Sequence, residues 1–391
     1  MSVQRLKESP APSRGEGSDG TSDASALRFE GRRALLGVLL AVALAAGAFA
    51  LIGQIAQFGR LQTALTRASA AWLPACIGGL LLSYVGYLLA YRDAARASGG
   101  PRFAPWTAAR IVIFGMGASV FAASVGGLAI DFWAVRRTGT KKHTAARRVL
   151  ALGTIEWIVL SAYACAAAVF MLASGEHAPL AMAVTWLTVV PACVVAALWF
   201  SSPPRVGRFT KLPPRSGRAD SAWPARALAG AERRARSALA DAIAGVVLVR
   251  HLLAHPLRYH GGALGYPLYW AGDIFILYAG LRAFGVDPSI APLVLAYATS
   301  FVISALPLPA GGAGGIEAGM AATLHAVGIP LAPALLAVFV YRIVTFWLPA
   351  IPALALLPSI RQLQRALSAV PHAPPDPDEK VPFRPEAETA S

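Results

Sequence analysis

Four ionisable side chains stand where their neighbours are almost all apolar: Glu156 in "LGTIEWIVL", Asp273 in "YWAGDIFIL", Glu317 in "GGIEAGM" and Arg342 in "FVYRIVTFW". A charge at the centre of a bilayer costs about 2.5–3.5 kcal/mol even on translocon scales, so such residues mark function or pairing. Two chemistries fit. Glu317 and Arg342 can form an ion pair that fixes packing, or all four can line a wet cavity that handles a polar headgroup or a coupling ion. Three acids against one base would leave that cavity negative, and protonation or a cationic cargo would neutralise it. A fifth group, Asp131, near the cytoplasmic mouth, is counted with the cavity residues, although beside Arg136 and Arg137 a surface salt bridge is its default role.

Enzymatic chemistry finds no foothold. There is no phosphate-binding loop, no "HExxH" and no Gly-x-Ser-x-Gly. His251 and His255 are spaced i, i+4 but have no third ligand nearby, so neither a metal nor a cofactor is expected. Cys76, Cys165 and Cys193 sit in apolar runs and read as small buried hydrophobes. The chain is therefore expected not to be an enzyme.

The elements that must position these groups are membrane helices. The 391 residues are 56% hydrophobic and 14% charged, with mean hydropathy +0.55. A soluble domain would carry roughly a quarter charged residues. Several apolar runs reach the ~20 residues that cross a bilayer, whereas a transmembrane barrel would show short alternating segments. Spans are expected near 34–55, 70–91, 149–173, 178–200, 263–284 and 331–357, with an interfacial helix at 237–255. The stretches 111–130 and 291–327, rich in Gly, Ala and Ser, read as broken segments. The second has room for two half-length helices around Pro307–Gly315. The fold class is thus an all-α polytopic membrane protein of about six full spans plus two broken or re-entrant segments. Its expected divisions are a disordered tail at 1–30, a membrane domain at 31–360 and a disordered tail at 361–391. The domain's halves, about 70–200 and 237–360, are joined by the basic loop 201–236.

The net charge of +15 orients the chain. Lys and Arg cluster at 92–110, 131–148 and 201–258, and are missing from 174–177, 285–290 and 328–330. If 111–130 enters from the cytoplasm and returns there, 31 of the 35 Lys and Arg lie inside, three (Arg60, Arg67, Arg282) lie outside and Arg342 is intramembrane. Both termini are then cytoplasmic. The same reasoning makes 291–327 a hairpin dipping in from outside. One broken segment from each face is the pattern of inverted-topology repeats.

Local sequence repeats too. Asp131 follows Gly126–Gly127, and Glu156 comes twenty-five residues later; Glu317 follows Gly311–Gly312, and Arg342 comes twenty-five residues later. Unwound backbone in hydrocarbon leaves amides unpaired, at several kcal/mol each, unless protein or water supplies partners. Gly311, Gly312, Gly314 and Gly315 let the chain turn there, and Glu317 meets the positive end of the next helix.

The motifs "SVGGLAIDFWAVRRTGTKKHTAARRVLALGTIEW" and "LPLPAGGAGGIEAGMAATLHAVGIPLAPALLAVFVYRIVTFWLPAIPAL" resemble the lysylphosphatidylglycerol synthase transmembrane family, over roughly residues 34–360. This is the flippase-like domain of the bacterial multiple peptide resistance factor and its single-domain relatives. The first motif departs from the family pattern at Trp157, where arginine is common. The resemblance implies movement of aminoacylated or otherwise modified lipids between leaflets of a bacterial inner membrane. It carries over Gly126, Gly127, Gly311, Gly312, Gly314, Glu317 and Arg342. The resistance factors append an aminoacyl transferase, and the residues after 360 read only as tail, so lysyl-lipid synthesis is not expected of this chain.

The leading expectation is a flippase for a modified phospholipid, hopanoid or glycolipid headgroup. Its basic loops, including Arg136, Arg137, Lys141 and Lys142, would gather anionic lipid at about 1 kcal/mol per side chain. The competing reading is a scaffold for a separate lipid-modifying enzyme, docked through 201–258. Membrane lipids are the expected partners, anionic or aminoacylated, and nucleic acid is not.

Overall fold

The computed structural model describes residues 63, 66, 68–175, 179–200, 242–302 and 314–374. The expected span 34–55, the loop 201–236, both ends of the chain, and Gly311 and Gly312 lie outside these. Among the described residues the structure is helical throughout, and the one bridge joins Pro101 to His372.

In chain order the helices are α1 (Leu73–Arg96), α2 (Pro105–Arg137), α3 (Lys142–Ser174), α4 (Leu180–Phe200), α5 (Ala242–Ala254), α6 (His260–Ala283), α7 (Ile290–Phe301), α8 (Gly315–Ala326), α9 (Leu331–Arg342), α10 (Ala350–Leu356) and α11 (Ile360–Ser368). Four stretches are long and apolar enough to cross a membrane: Ala70–Gly99, Lys142–Ser174, Leu180–Trp199 and Leu331–Ser368. The protein is a helical membrane protein. The expected span at 263–284 forms as α6 but is not among those four. Its sequence includes five glycines, Pro267 and Asp273, and most of its length is buried against other helices.

α1 and α6 run antiparallel and make the most extensive contact among the described helices. A Cβ added at Gly86 would stand 2.5 Å from the Gly265 carbonyl oxygen, and one at Gly272 would stand 2.5 Å from that of Gly79. Ser83 Oγ donates to the Tyr269 carbonyl at 3.1 Å, and the Gly262 amide donates to Asp93 Oδ2 at 3.0 Å. Without a hydrophobic drive between helices in lipid, small residues favour association by letting backbones touch.

α2 folds back on itself. A straight helix of 33 residues would be about 50 Å long, well beyond a ~30 Å hydrocarbon core. Residues eight apart on a straight helix would be about 12 Å apart. Yet an added Cβ at Gly126 would lie 2.4 Å from the Ala118 carbonyl oxygen, and one at Gly115 would lie 3.6 Å from the Gly127 Cα. The chain therefore reverses between Ser119 and Gly126. α7 and α8 are short arms of 12 residues each, about 18 Å, that pack on one another. Gly314, at φ +86°, opens α8, a conformation glycine adopts without steric cost.

After Arg342 the helix widens into a π-turn over Ile343–Trp347, a feature frequent at functional sites. The C-terminal segment corrects the expectation of a tail from residue 361. α11 is amphipathic, with Leu363 and Leu367 buried in the same core as Ala108 and Ile111 of α2. Arg110 Nη2 donates to the Ser359 carbonyl at 2.6 Å, and the Ala373 amide donates to that of Gly100 at 2.7 Å.

Candidate functional site

A cavity of about 350 Å³ opens between α1, α2, α3, α6 and α9. Asp131 from α2, Glu156 from α3, Asp273 from α6 and Arg342 from α9 all line it. Glu317 lies behind Arg342. The structure thus brings together five ionisable residues from five helices.

Arg342 Nε donates to Glu317 Oε1 at 2.7 Å, and both side chains are mostly buried. Glu317 is the third residue of α8, and its Oε2 accepts the Gly314 amide at 2.7 Å, closing the helix start. One carboxylate therefore holds both the unwound N-terminus of α8 and the guanidinium of the following helix. The Phe346 ring, one turn on, lies 4.2 Å beneath the Arg342 guanidinium carbon. Arg342 Nη2 is buried and has no hydrogen-bond partner among the described residues.

Asp273 is held differently. Its Oδ2 accepts hydroxyls from Tyr297 of α7 and Tyr341 of α9, the latter at 2.5 Å. The two hydroxyls lie 3.1 Å apart. Tyr297 stacks on Phe301, and both rings meet Trp270 edge-on. Trp270 Nε1 donates to the Glu156 carbonyl at 2.9 Å, joining α3 to this group.

Asp131 corrects the expected surface salt bridge. It is only 1% exposed, and Tyr87 of α1 donates to its Oδ2 at 2.6 Å. Helical geometry excludes the expected partners: Arg136 and Arg137 lie five and six positions further on, roughly 120–140° round the helix. They are exposed, as are Lys141 and Lys142. Arg136 donates to the Thr140 carbonyl, and Arg137 lies over Trp133. Asp131 Oδ1 has no hydrogen-bond partner among the described residues. The Glu156 carboxylate makes no hydrogen bond among the described residues, whereas every other acid of the site holds a tyrosine or an arginine.

Of the glycines expected at breaks, Gly126 and Gly127 lie where the second arm of α2 crosses the first, and Gly127 reaches the cavity wall. Gly314 and Gly315 begin α8. The sequence reading missed Tyr87, Tyr297 and Tyr341. A tyrosine in an apolar run ordinarily signals a membrane–water boundary. The available signal was that an intramembrane carboxylate needs a donor, and these are the donors that apolar helices carry.

Among described residues no group of three or more His, Cys, Asp and Glu has a geometry for a metal ion. No curated protein matches the chain. The family model for the lysylphosphatidylglycerol synthase TM region matches residues 38–353, so the chain belongs to that family.

Proposed function

We propose that the protein moves a lipid headgroup between leaflets of a bacterial inner membrane, with the headgroup in the cavity and the acyl chains left in the bilayer. The observation that carries this reading is the convergence of Asp131, Glu156, Asp273 and Arg342 on one cavity beside helix arms too short to span a bilayer. Charged groups at that depth are retained where water or a polar ligand reaches them.

In this reading the two arms of α2 form a hairpin entered from the cytoplasm, and α7 with α8 form one entered from outside. Both chain ends are cytoplasmic, and exposed Arg136, Arg137, Lys141 and Lys142 face the anionic inner leaflet. The halves form inverted-topology repeats. One separation supports this: Ser83 meets Tyr269 at 186 residues. The same step takes Gly79 to Gly265, Gly86 to Gly272, Asp131 to Glu317 and Glu156 to Arg342. It also exchanges the glycine contacts of α1 and α6, Gly79 on Gly272 becoming Gly265 on Gly86. A contact set that maps onto itself has a two-fold axis. Between antiparallel helices that axis lies across them, in the membrane plane.

The test is the leaflet distribution of chain-labelled lipids in proteoliposomes with and without the protein. Transport that depends on Glu317 and Arg342 is expected. Identical distributions for phospholipid, glycolipid and hopanoid probes, with the protein folded and inserted, would overturn the reading.

A further inference from the structure

The repeat places unlike residues at one matched pair. In the second half, Glu317 meets the Arg342 guanidinium at 2.7 Å. The matched residues of the first half are Asp131 and Glu156, so an acid stands where the partner half has its cation. The consequence is local. Asp131 is 1% exposed and keeps one oxygen bonded to Tyr87, while Oδ1, the oxygen left for a cation, has no partner. Glu156 faces the same cavity, as does Tyr84, whose buried hydroxyl also lacks a partner. Arg342 bonds Glu317 through Nε, and among the described residues no hydrogen bond or ion pair joins it to Asp131 or Glu156. A buried carboxylate oxygen left without a donor costs about 1–3 kcal/mol, and a ligand that supplied the donor would recover it.

We infer that Asp131 and Glu156 form a binding subsite for a primary ammonium or guanidinium group, which occupies in the first half the position that the Arg342 guanidinium holds in the second. The cation arrives with the ligand, so the first hairpin is fastened to α3 only when the ligand is bound, whereas the second is fastened to α9 permanently. Glu156 and Asp131 lie on adjacent helices, so an ammonium donating to both draws α2 towards α3. Space for a longer group is present: a Cβ added at Gly153, one turn before Glu156 and on the cavity wall, would meet nothing within 4 Å. The inference takes its ligand from the transport reading but its geometry from the repeat alone.

The experiment uses the full chain in phosphatidylglycerol nanodiscs. Two chain-labelled probes are compared, phosphatidylethanolamine and its N-acetylated form, which differ in one ammonium. The wild type is expected to bind the free amine at least tenfold more tightly. Glu156→Gln and Asp131→Asn should each remove that preference. Glu156→Arg supplies the cation internally, so it should remove the preference and raise the thermal midpoint. Arg361→Gln, exposed on α11, should change neither. Equal affinity for the two probes in the wild type, or a preference that survives both neutral substitutions, would overturn the inference. A variant that fails to fold leaves the decision to the other neutral variant and to the wild-type comparison. Amine preference without lipid movement in proteoliposomes would retain the subsite and remove the transport reading; movement indifferent to the amine would do the reverse.

Discussion

Glu317 holds two things at once: its Oε1 accepts Arg342 Nε at 2.7 Å, and its Oε2 accepts the amide of Gly314 at the same distance. The first bond ties α8 to α9; the second closes the start of α8. Removing Arg342 strands a buried carboxylate, a loss typically worth about 3–5 kcal/mol. Arg342→Ala should therefore lower the thermal midpoint of the purified protein and abolish transport. The double variant Glu317→Gln with Arg342→Ala should be more stable than Arg342→Ala alone while remaining inactive. Thermal unfolding of the three variants in one detergent checks the order.

The seam between α1 and α6 tolerates no side chain at its glycines. At Gly86 an added Cβ would stand 2.4 Å from the Tyr269 amide nitrogen, whereas at Gly78 it would meet nothing within 4 Å. Gly86→Leu is expected to prevent stable folding, and Gly78→Ala to leave the stability within about 1 kcal/mol of wild type. Size-exclusion profiles and thermal melts of the pair make the comparison.

At the reversal of α2 the constraint is one of close approach between two arms. Gly126→Val should splay them, because backbone atoms of Ala118 and Ser119 stand within 3 Å of an added Cβ. Since Val112, Gly115 and Asp131 of those arms line the cavity, lipid movement should fall at least tenfold. Transport in proteoliposomes at matched protein content measures this.

Tyr341→Phe deletes one of two hydroxyls on Asp273 and keeps the ring. The loss of a hydrogen bond to a charged acceptor predicts about 1–3 kcal/mol of destabilisation. Asp273→Asn in the Tyr341→Phe background should cost less than the two changes summed, since they share one bond. A double-mutant cycle by thermal unfolding reads the coupling.

The orientation can be read by single cysteines in a background without Cys76, Cys165 and Cys193. Lys141→Cys should react with a membrane-impermeant maleimide only from the cytoplasmic side, and Asp287→Cys only from outside. Both positions are exposed. Labelling of intact cells against inverted vesicles decides each.

Much of this arrangement was visible in the chain as letters. Apolar length gave the helices, and charges in oil gave Glu156, Asp273, Glu317 and Arg342, because a buried charge violates the pattern around it. Asp131 does line the cavity, but a surface salt bridge was the wrong default for it: sequence proximity to Arg136 and Arg137 was weighed without the turn of the helix, which carries them round to another face. The glycine seam escaped notice for a different reason. Gly79 and Gly86 gain their meaning from Gly265 and Gly272, and that register is set by tertiary contact rather than by local pattern. Tyr87, Tyr297 and Tyr341 stayed hidden because the need for a donor was recognised at the acids and not pursued to its suppliers.

Where Gly79 and Gly86 of α1 meet Gly272 and Gly265 of α6 backbone to backbone, no side chain is left to bend or slip. Such a joint permits tilting about the line of contact and resists sliding along it. A rearrangement that exposed the cavity first to one side of the bilayer and then to the other would pivot on this line, with the closely packed seam as its fulcrum and the outer helices left to travel.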